Sequence, residues 1–385
     1  MTERTLLIQP RDPVIFRDGK PFTMGLPARS VDWPLPSAVI GAIRTRLGRN
    51  TRYDTATVER LKLIEHEGPF LVARGEKGDA LAFPAPADAV AFSPALRSNE
   101  RGETPLELCR LRPARLAAHE GTNLPGEYAP LMGALNEKPA GTPPFWSVDA
   151  TLSWLADGGN DSLFRSNREL GFGRLSRQRR THVQINAARQ AAEDGALFAT
   201  EGLEFSEYRR REGVAGFEDP NPRICSRIRH PEDDRWADLE ALAPIGGERR
   251  LAYWSEGEIQ WPAAPDSLAD ATLVRLQLVT PACFRDGWKP KWMESGRPPG
   301  VDGVEVKLLA AAVPRPTAHS GWDLTKRGSN GQKATRFLAP AGSVYFCEVK
   351  GDARKLWMRP ISDDDQSRRD GFGLVLCGVW QWRQD

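Results

Sequence analysis

The chain has 385 residues, a formal net charge of +2 and five cysteines. That length exceeds what one hydrophobic core usually supports, so two domains are expected. No apolar run reaches the ~18 residues that span a bilayer, the first ten residues lack the apolar segment of a secretory signal, and no C-x-x-C pair offers zinc or redox chemistry.

The thiols of Cys109, Cys225, Cys283, Cys347 and Cys377 are odd in number and dispersed, which fits a reducing cytoplasm. Thr5 to Ile8 reads as the first strand. Pro13 to Pro21 (P-V-I-F-R-D-G-K-P) follows it, with Asp18-Gly19 as a turn signal. Ser37 is a good N-cap, and Ala38 to Leu47 forms a helix with Val39, Ile40, Ile43 and Leu47 on one arc. Arg44 and Arg46 flank that arc. Phe70 to Ala73 is a strand candidate. The stretch from Ala85 to Pro144 is a long insertion rich in Pro, Arg and turn formers, and insertions of that length are usually functional or mobile.

From Arg165 to Ala192 there are seven Arg and one acid, Glu169. Acids gather elsewhere, as at Glu232, Asp233, Asp234, Asp238 and Glu240, a segregation that either gives a nearly neutral chain a basic nucleic-acid face or is ordinary solvated surface. Alternation from Thr181 to Ile185 predicts a strand arm, with Val183 and Ile185 on one face and His182 and Gln184 on the other. Four basic side chains in six residues, Arg177, Arg179, Arg180 and His182, belong on an exposed hairpin or loop, because unpaired buried charge is very costly. Leu197 to Phe205 is the next strand. A second insertion runs from Ser206 to Asp233. Trp236 to Ala243 is expected to be helical, ending near Pro244, and Leu251 to Trp254 to be a strand entered through Gly246-Gly247-Glu248-Arg249-Arg250.

Trp261-Pro262-Ala263-Ala264-Pro265 reads as a linker. Beyond it the opening recurs. Leu273 to Val279 is a strand, and Pro281 to Pro290 (P-A-C-F-R-D-G-W-K-P) repeats the first turn. Val306 to Cys347 is again basic, with six Lys or Arg and only Asp323 as an acid. Gly371-Phe372-Gly373 leads into the last strand, Leu374 to Trp380. The expected architecture is therefore α+β, with two ferredoxin-like, RRM-like domains at 1–262 and 270–385 and long insertions in the first.

No enzymatic motif is complete. Gly328 to Thr335 has the wrong spacing for a phosphate loop, and Gly171-x-Gly173 and Gly371-x-Gly373 lack the third glycine of a dinucleotide fingerprint. There is no G-x-S-x-G and no H-E-x-x-H, and the histidines lack metal spacing. No catalytic residue, metal or cofactor is expected. His182 beside Arg179 and Arg180 is the one place where metal-independent RNA cleavage is conceivable. The alternative for it is stacking on RNA, hydrogen bonding to RNA or a structural role.

Several segments, in order, resemble one family. They are Arg11-Asp12-Pro13 with Phe16 to Phe22, Trp33 to Ser37 with Gly41 to Arg44, Arg180 to Asn186 with Asp194 to Phe198, Gly246 to Arg250, Ser320 to Asp323, Pro340 to Tyr345, and the closing Gly371 to Gly373. Together they resemble the third subunit of the type III-B CRISPR Cmr complex, a RAMP-superfamily protein. The insertions at 76–137 and 206–233 match no part of that pattern.

The resemblance implies contact with the 5′ tag of the guide RNA, with the large polymerase/cyclase subunit and with a backbone RAMP subunit, and no nuclease activity. The alternative is a RAMP endoribonuclease that matures the precursor. A single-stranded tag is held by charge neutralisation, stacking and base-edge hydrogen bonds. Arg174, Arg177, Arg179, Arg180 and His182 are the leading candidates. Arg17 and Arg285 either reach phosphate or only flank a hairpin. Arg44, Lys326, Lys333 and Arg336 supply further positive charge, and Trp33 and Trp322 supply rings that stack on bases or fill the core. Gly371 and Gly373 either let backbone approach RNA or permit tight packing.

Overall fold

The computed structural model describes residues 2–17, 30–48, 54–75, 78–93, 105–117, 119–133, 138–156, 162–205, 222–230, 239–321, 331 and 333–383. Among these, mixed helix and strand elements form an α+β chain with two main sheets.

In the first half, β1 (Thr2–Pro10) pairs antiparallel with both β5 (Arg223–His230) and β6 (Leu251–Glu256). Strand β2 (Glu65–Gly75) lies outside β5. Shorter strands widen this sheet to eight: Gly78–Pro84, Phe145–Ser147 and Gly171–Phe172 beyond β2, and Ala241–Pro244 beyond β6. Two further strands, β3 (Ser176–Asn186) and β4 (Ala191–Glu204), form a separate hairpin.

In the second half, β7 (Leu273–Leu278) is likewise central, between β9 (Val344–Lys350) and β10 (Val375–Val379), with β8 (Glu305–Ala312) outside β9. The two orders, β2-β5-β1-β6 and β8-β9-β7-β10, are the same when only these four strands of each half are numbered in chain order, the hairpin and the shorter strands of the first half being left out. The repeated turns are also used alike. Val14 exchanges backbone hydrogen bonds with Leu203 at 2.9 and 2.8 Å, and Ala282, its counterpart in the repeat, exchanges them with Ala339 at 2.9 and 3.0 Å. Gly19, the expected counterpart of Gly287, lies outside the described residues.

Period-two alternation explains the layers. Leu6 and Ile8 of β1 enter the core shared with helix α1 (Pro36–Leu47), while Leu7 points to the opposite face. On β10, Val375 and Cys377 fill the second half's own core, whereas Leu376 turns toward Leu7, Phe70, Val72 and Phe83. The sheets thus bury one apolar layer between them.

A polar knot crosses that boundary. Arg275 on β7 pairs with Asp88 at 2.7 Å, both fully buried. The indole of Trp154, on helix α2 (Val148–Leu155), donates to Asp88 at 3.0 Å. Arg110 stacks over the same indole at 3.8 Å and donates to the Trp154 carbonyl at 2.7 Å. All five cysteines are buried and free.

Two local expectations are corrected. Helix α1 begins at Pro36, not Ala38, and its N-cap Leu35 makes no side-chain capping bond. Proline at the first helical position forfeits only an amide that has no intrahelical partner, so it starts the helix without Ser37 as cap. The helix expected over Trp236 to Ala243 is absent from its described part. Ala241–Pro244 instead pairs with β6 as an edge strand, a place that tolerates Pro244. Among the described residues of the second half the helical positions hold short turns, Lys291–Glu294 and Ala353–Leu356, and the five-residue α3 (Asp365–Arg369).

Candidate nucleic-acid interface

The β3–β4 hairpin is the most exposed paired structure among the described residues, with no fully buried residue from Ser176 to Phe198. It is rooted by Leu175, Leu203 and Phe205, which enter the first core. Arg177 fastens the root. It donates to the Ser30 carbonyl at 2.9 Å and forms short ion pairs with Asp32 and Glu201. Partial burial opposes its charge, but the bonds from Asp32 and Glu201 outweigh that and raise its pKa. Arg174 also reaches Asp32, at 2.8 Å, from a largely exposed position. These acids are distant in sequence. Glu169, the nearby acid, instead closes a capping box with Ser166.

Residues directly opposite across the ladder share a face. His182 faces Phe198, Arg180 faces Thr200 and Gln178 faces Gly202. The imidazole of His182 lies parallel to the Phe198 ring, 5.0 Å between centroids and 14° between planes, and its Nε2 is 2.9 Å from Thr200 Oγ1. The Arg180 guanidinium is oriented by Gln178 at 2.6 Å. This face therefore combines a cation with a stacked pair of rings, in solvent. The other face carries Arg177, Arg179 and Glu201 near the root, then Val183 and Leu197 toward the tip. Glu201 is taken by Arg177, and Arg179 has no ion-pair partner among the described residues.

The expected exposed arm is thus present, but the expected alternation holds only as far as Val183, because a register shift between Val183 and Ile185 interrupts the ladder. Phe198 was not singled out from the sequence. The alternation from Leu197 to Phe205 carried the signal, since Phe198 falls opposite His182 once the hairpin closes.

The remaining candidates lie elsewhere. Arg17 is exposed and bridges to Ser30, which brings it to the arm's root. Trp33 is half-buried, edge-on to Phe145 at 5.1 Å, and donates from its indole to the Pro69 carbonyl at 3.0 Å, so its ring is engaged in protein packing. Arg44 points to the junction of the halves. It pairs with Asp370 at 2.7 Å and donates to the Leu61 carbonyl at 2.9 Å.

Gly371 sits in that junction with φ +91°. A Cβ there would lie 2.7 Å from the His66 carbonyl oxygen and 2.9 Å from His66 Nδ1. A Cβ on Gly373, at φ +85°, would lie 2.7 Å from Ser362 Oγ. Both glycines therefore serve close packing within the protein. Arg285 and Lys333 are exposed. Arg336 contacts Asp364 and Ser367 at 3.3 Å and is about half exposed. Trp322 and Lys326 lie outside the described residues.

Among the described residues no group of His, Cys, Asp and Glu has metal-binding geometry, and no helix is long and apolar enough to cross a membrane.

No curated protein matches the chain. Among solved structures it is similar to a subunit of the type III-B Cmr-beta complex bound to cognate target RNA and AMPPnP, at 15% identity over 89% of this chain and 86% of that one, with a TM-score of 0.46. The same complex bound to cognate target RNA gives 14% identity, the same coverage and a TM-score of 0.46. A chain of the Csm3–Csm4 subcomplex of the type III-A CRISPR-Cas interference complex gives 9% identity over 91% of this chain and 94% of that one, with a TM-score of 0.35. The family model for CRISPR-associated protein (Cas_Cmr3) matches residues 6–380, nearly the whole length. The chain belongs to the Cas_Cmr3 family and is a subunit of a type III-B CRISPR effector.

Proposed function

We propose that this subunit is a non-catalytic RNA-binding protein that holds the 5′ tag of the guide RNA and bridges the large polymerase/cyclase subunit to the backbone RAMP subunits. The exposed face of the β3–β4 arm supports this most directly. Arg180 and the stacked His182–Phe198 pair offer a cation and π-surfaces in water, and Arg179 adds charge from the opposite face of the same hairpin. That chemistry neutralises a phosphate backbone and stacks unpaired bases without requiring a sequence.

Both halves are proposed to be ferredoxin-like units related by duplication and divided near residues 262–269. The shared strand order and the equivalent Val14–Leu203 and Ala282–Ala339 bridges support this. Endonucleolysis at His182 is the weaker reading. Its Nε2 contacts a threonine hydroxyl and its ring is stacked, and no acid lies within hydrogen-bonding distance of it among the described residues.

The test is photocrosslinking from the tag within the assembled effector. Crosslinks should fall within residues 176–204. Crosslinks that fall only on other subunits would refute the assignment.

A further inference from the structure

The two copies of the repeated turn differ by one residue. The first reads F-R-D-G-K-P and the second F-R-D-G-W-K-P. The additional residue, Trp288, is 42% exposed.

Trp288 is also held still. Its carbonyl accepts a 2.6 Å hydrogen bond from the buried hydroxyl of Tyr345, and a bridge between Asp286 and Lys289 closes the turn around it. Tyr128, from the first-half insertion, meets the ring edge-on at 6.0 Å and 75°. Lys289 donates to the Tyr128 hydroxyl at 2.9 Å, so its ammonium is held at the ring that meets the indole. Arg285 is exposed in the same turn. Its backbone amide is held by Asp363 at 2.7 Å, while its guanidinium has no ion-pair partner among the described residues. Lys291 is different, because Glu294 neutralises it at 2.7 Å.

We propose that Trp288, Arg285 and Lys289 form a second contact for single-stranded RNA, separate in sequence from the β3–β4 arm. One base stacks on the indole, and the two cations meet the flanking phosphates. This rests on the chain being an RNA-binding subunit. The local chemistry favours RNA over a protein partner. Within residues 285–289 Arg285 and Lys289 outweigh the one acid, Asp286, so the exposed ring belongs to a turn of net positive charge, which suits an aromatic ligand that carries negative charge.

The test uses the full chain and a short, unstructured, fluorescent single-stranded RNA, with affinity measured at several salt concentrations. Trp288→Ala should weaken binding roughly 5- to 100-fold, the range for loss of one base-stacking ring. Trp288→Phe keeps a ring against Tyr128 and should retain most of the affinity, which separates stacking from misfolding. Arg285→Ala should reduce the salt slope by about 0.7, one phosphate on a single strand.

The Arg179→Ala/Arg180→Ala variant is measured in parallel. If it loses affinity while Trp288→Ala does not, the second contact is overturned and the arm assignment stands. If neither loses affinity, both are overturned. If Trp288→Ala leaves RNA affinity unchanged but releases another effector subunit, the patch is a protein contact and this proposal fails.

Discussion

Two ion pairs of equal length separate burial from proximity. Arg275–Asp88 and Arg4–Glu256 both measure 2.7 Å, but the first pair is 2% and 0% exposed and the second 35% and 45%. Asp88→Asn keeps an acceptor for the Trp154 indole while removing the charge opposite Arg275. The guanidinium then stays in a dry junction where Arg110 already brings a second positive charge. Breaking such a pair from one side costs about 3–5 kcal/mol. Arg4→Gln should cost no more than about 1 kcal/mol, because water and salt screen an exposed pair. Urea unfolding, followed by tryptophan fluorescence, reads both. Replacing the pair together, Arg275→Met with Asp88→Leu, should recover part of the loss, since buried pairs are often matched by well-packed apolar groups. Equal shifts for Asp88→Asn and Arg4→Gln would show that the knot does not hold the two sheets together.

Gly371→Ala should destabilise the chain by about 2–4 kcal/mol, combining a positive φ with a clash against the His66 backbone, and thermal melting reads it. His66 is buried and neutral, held down to about 4 chiefly by desolvation. Because its folded value lies below the unfolded one, its contribution is complete above about pH 6.5 and is lost as pH falls toward 4, by roughly 3 kcal/mol. His66→Gln should flatten that part of the stability–pH profile, and an unchanged profile would contradict the assignment. The purified chain should leave repeat RNA intact in the presence of chelator, and cleavage abolished by His182→Ala would make it a nuclease.

The parts legible in the sequence were those governed by local pattern. Strand-like apolar runs marked β1, β2, β4, β6, β7 and β10, alternation marked the start of the arm in β3, and the apolar arc marked α1. The arm was legible because four basic side chains in six residues cannot all be buried without partners. What escaped depends on contacts made across the chain. Nothing near Arg177 announces Asp32 and Glu201, and nothing near Arg275 announces Asp88. Trp33 and Arg44 have side-chain types suited to RNA, yet Phe145, Asp370 and backbone carbonyls claim them. Ala241–Pro244 has helical propensity, but pairing with β6 overrides it, as tertiary context commonly does.

The most direct test of the central claim is RNA retention by the assembled effector carrying Arg179→Ala/Arg180→Ala, measured as a function of salt. Both side chains lie on the exposed arm, so the fold and the assembly should be unaffected. The account predicts weaker retention at every salt concentration and a slope of log affinity against log salt that is shallower by about 1.4, two phosphates on a single strand. An unchanged affinity and an unchanged slope in a correctly assembled complex would contradict it and make the arm a contact for protein.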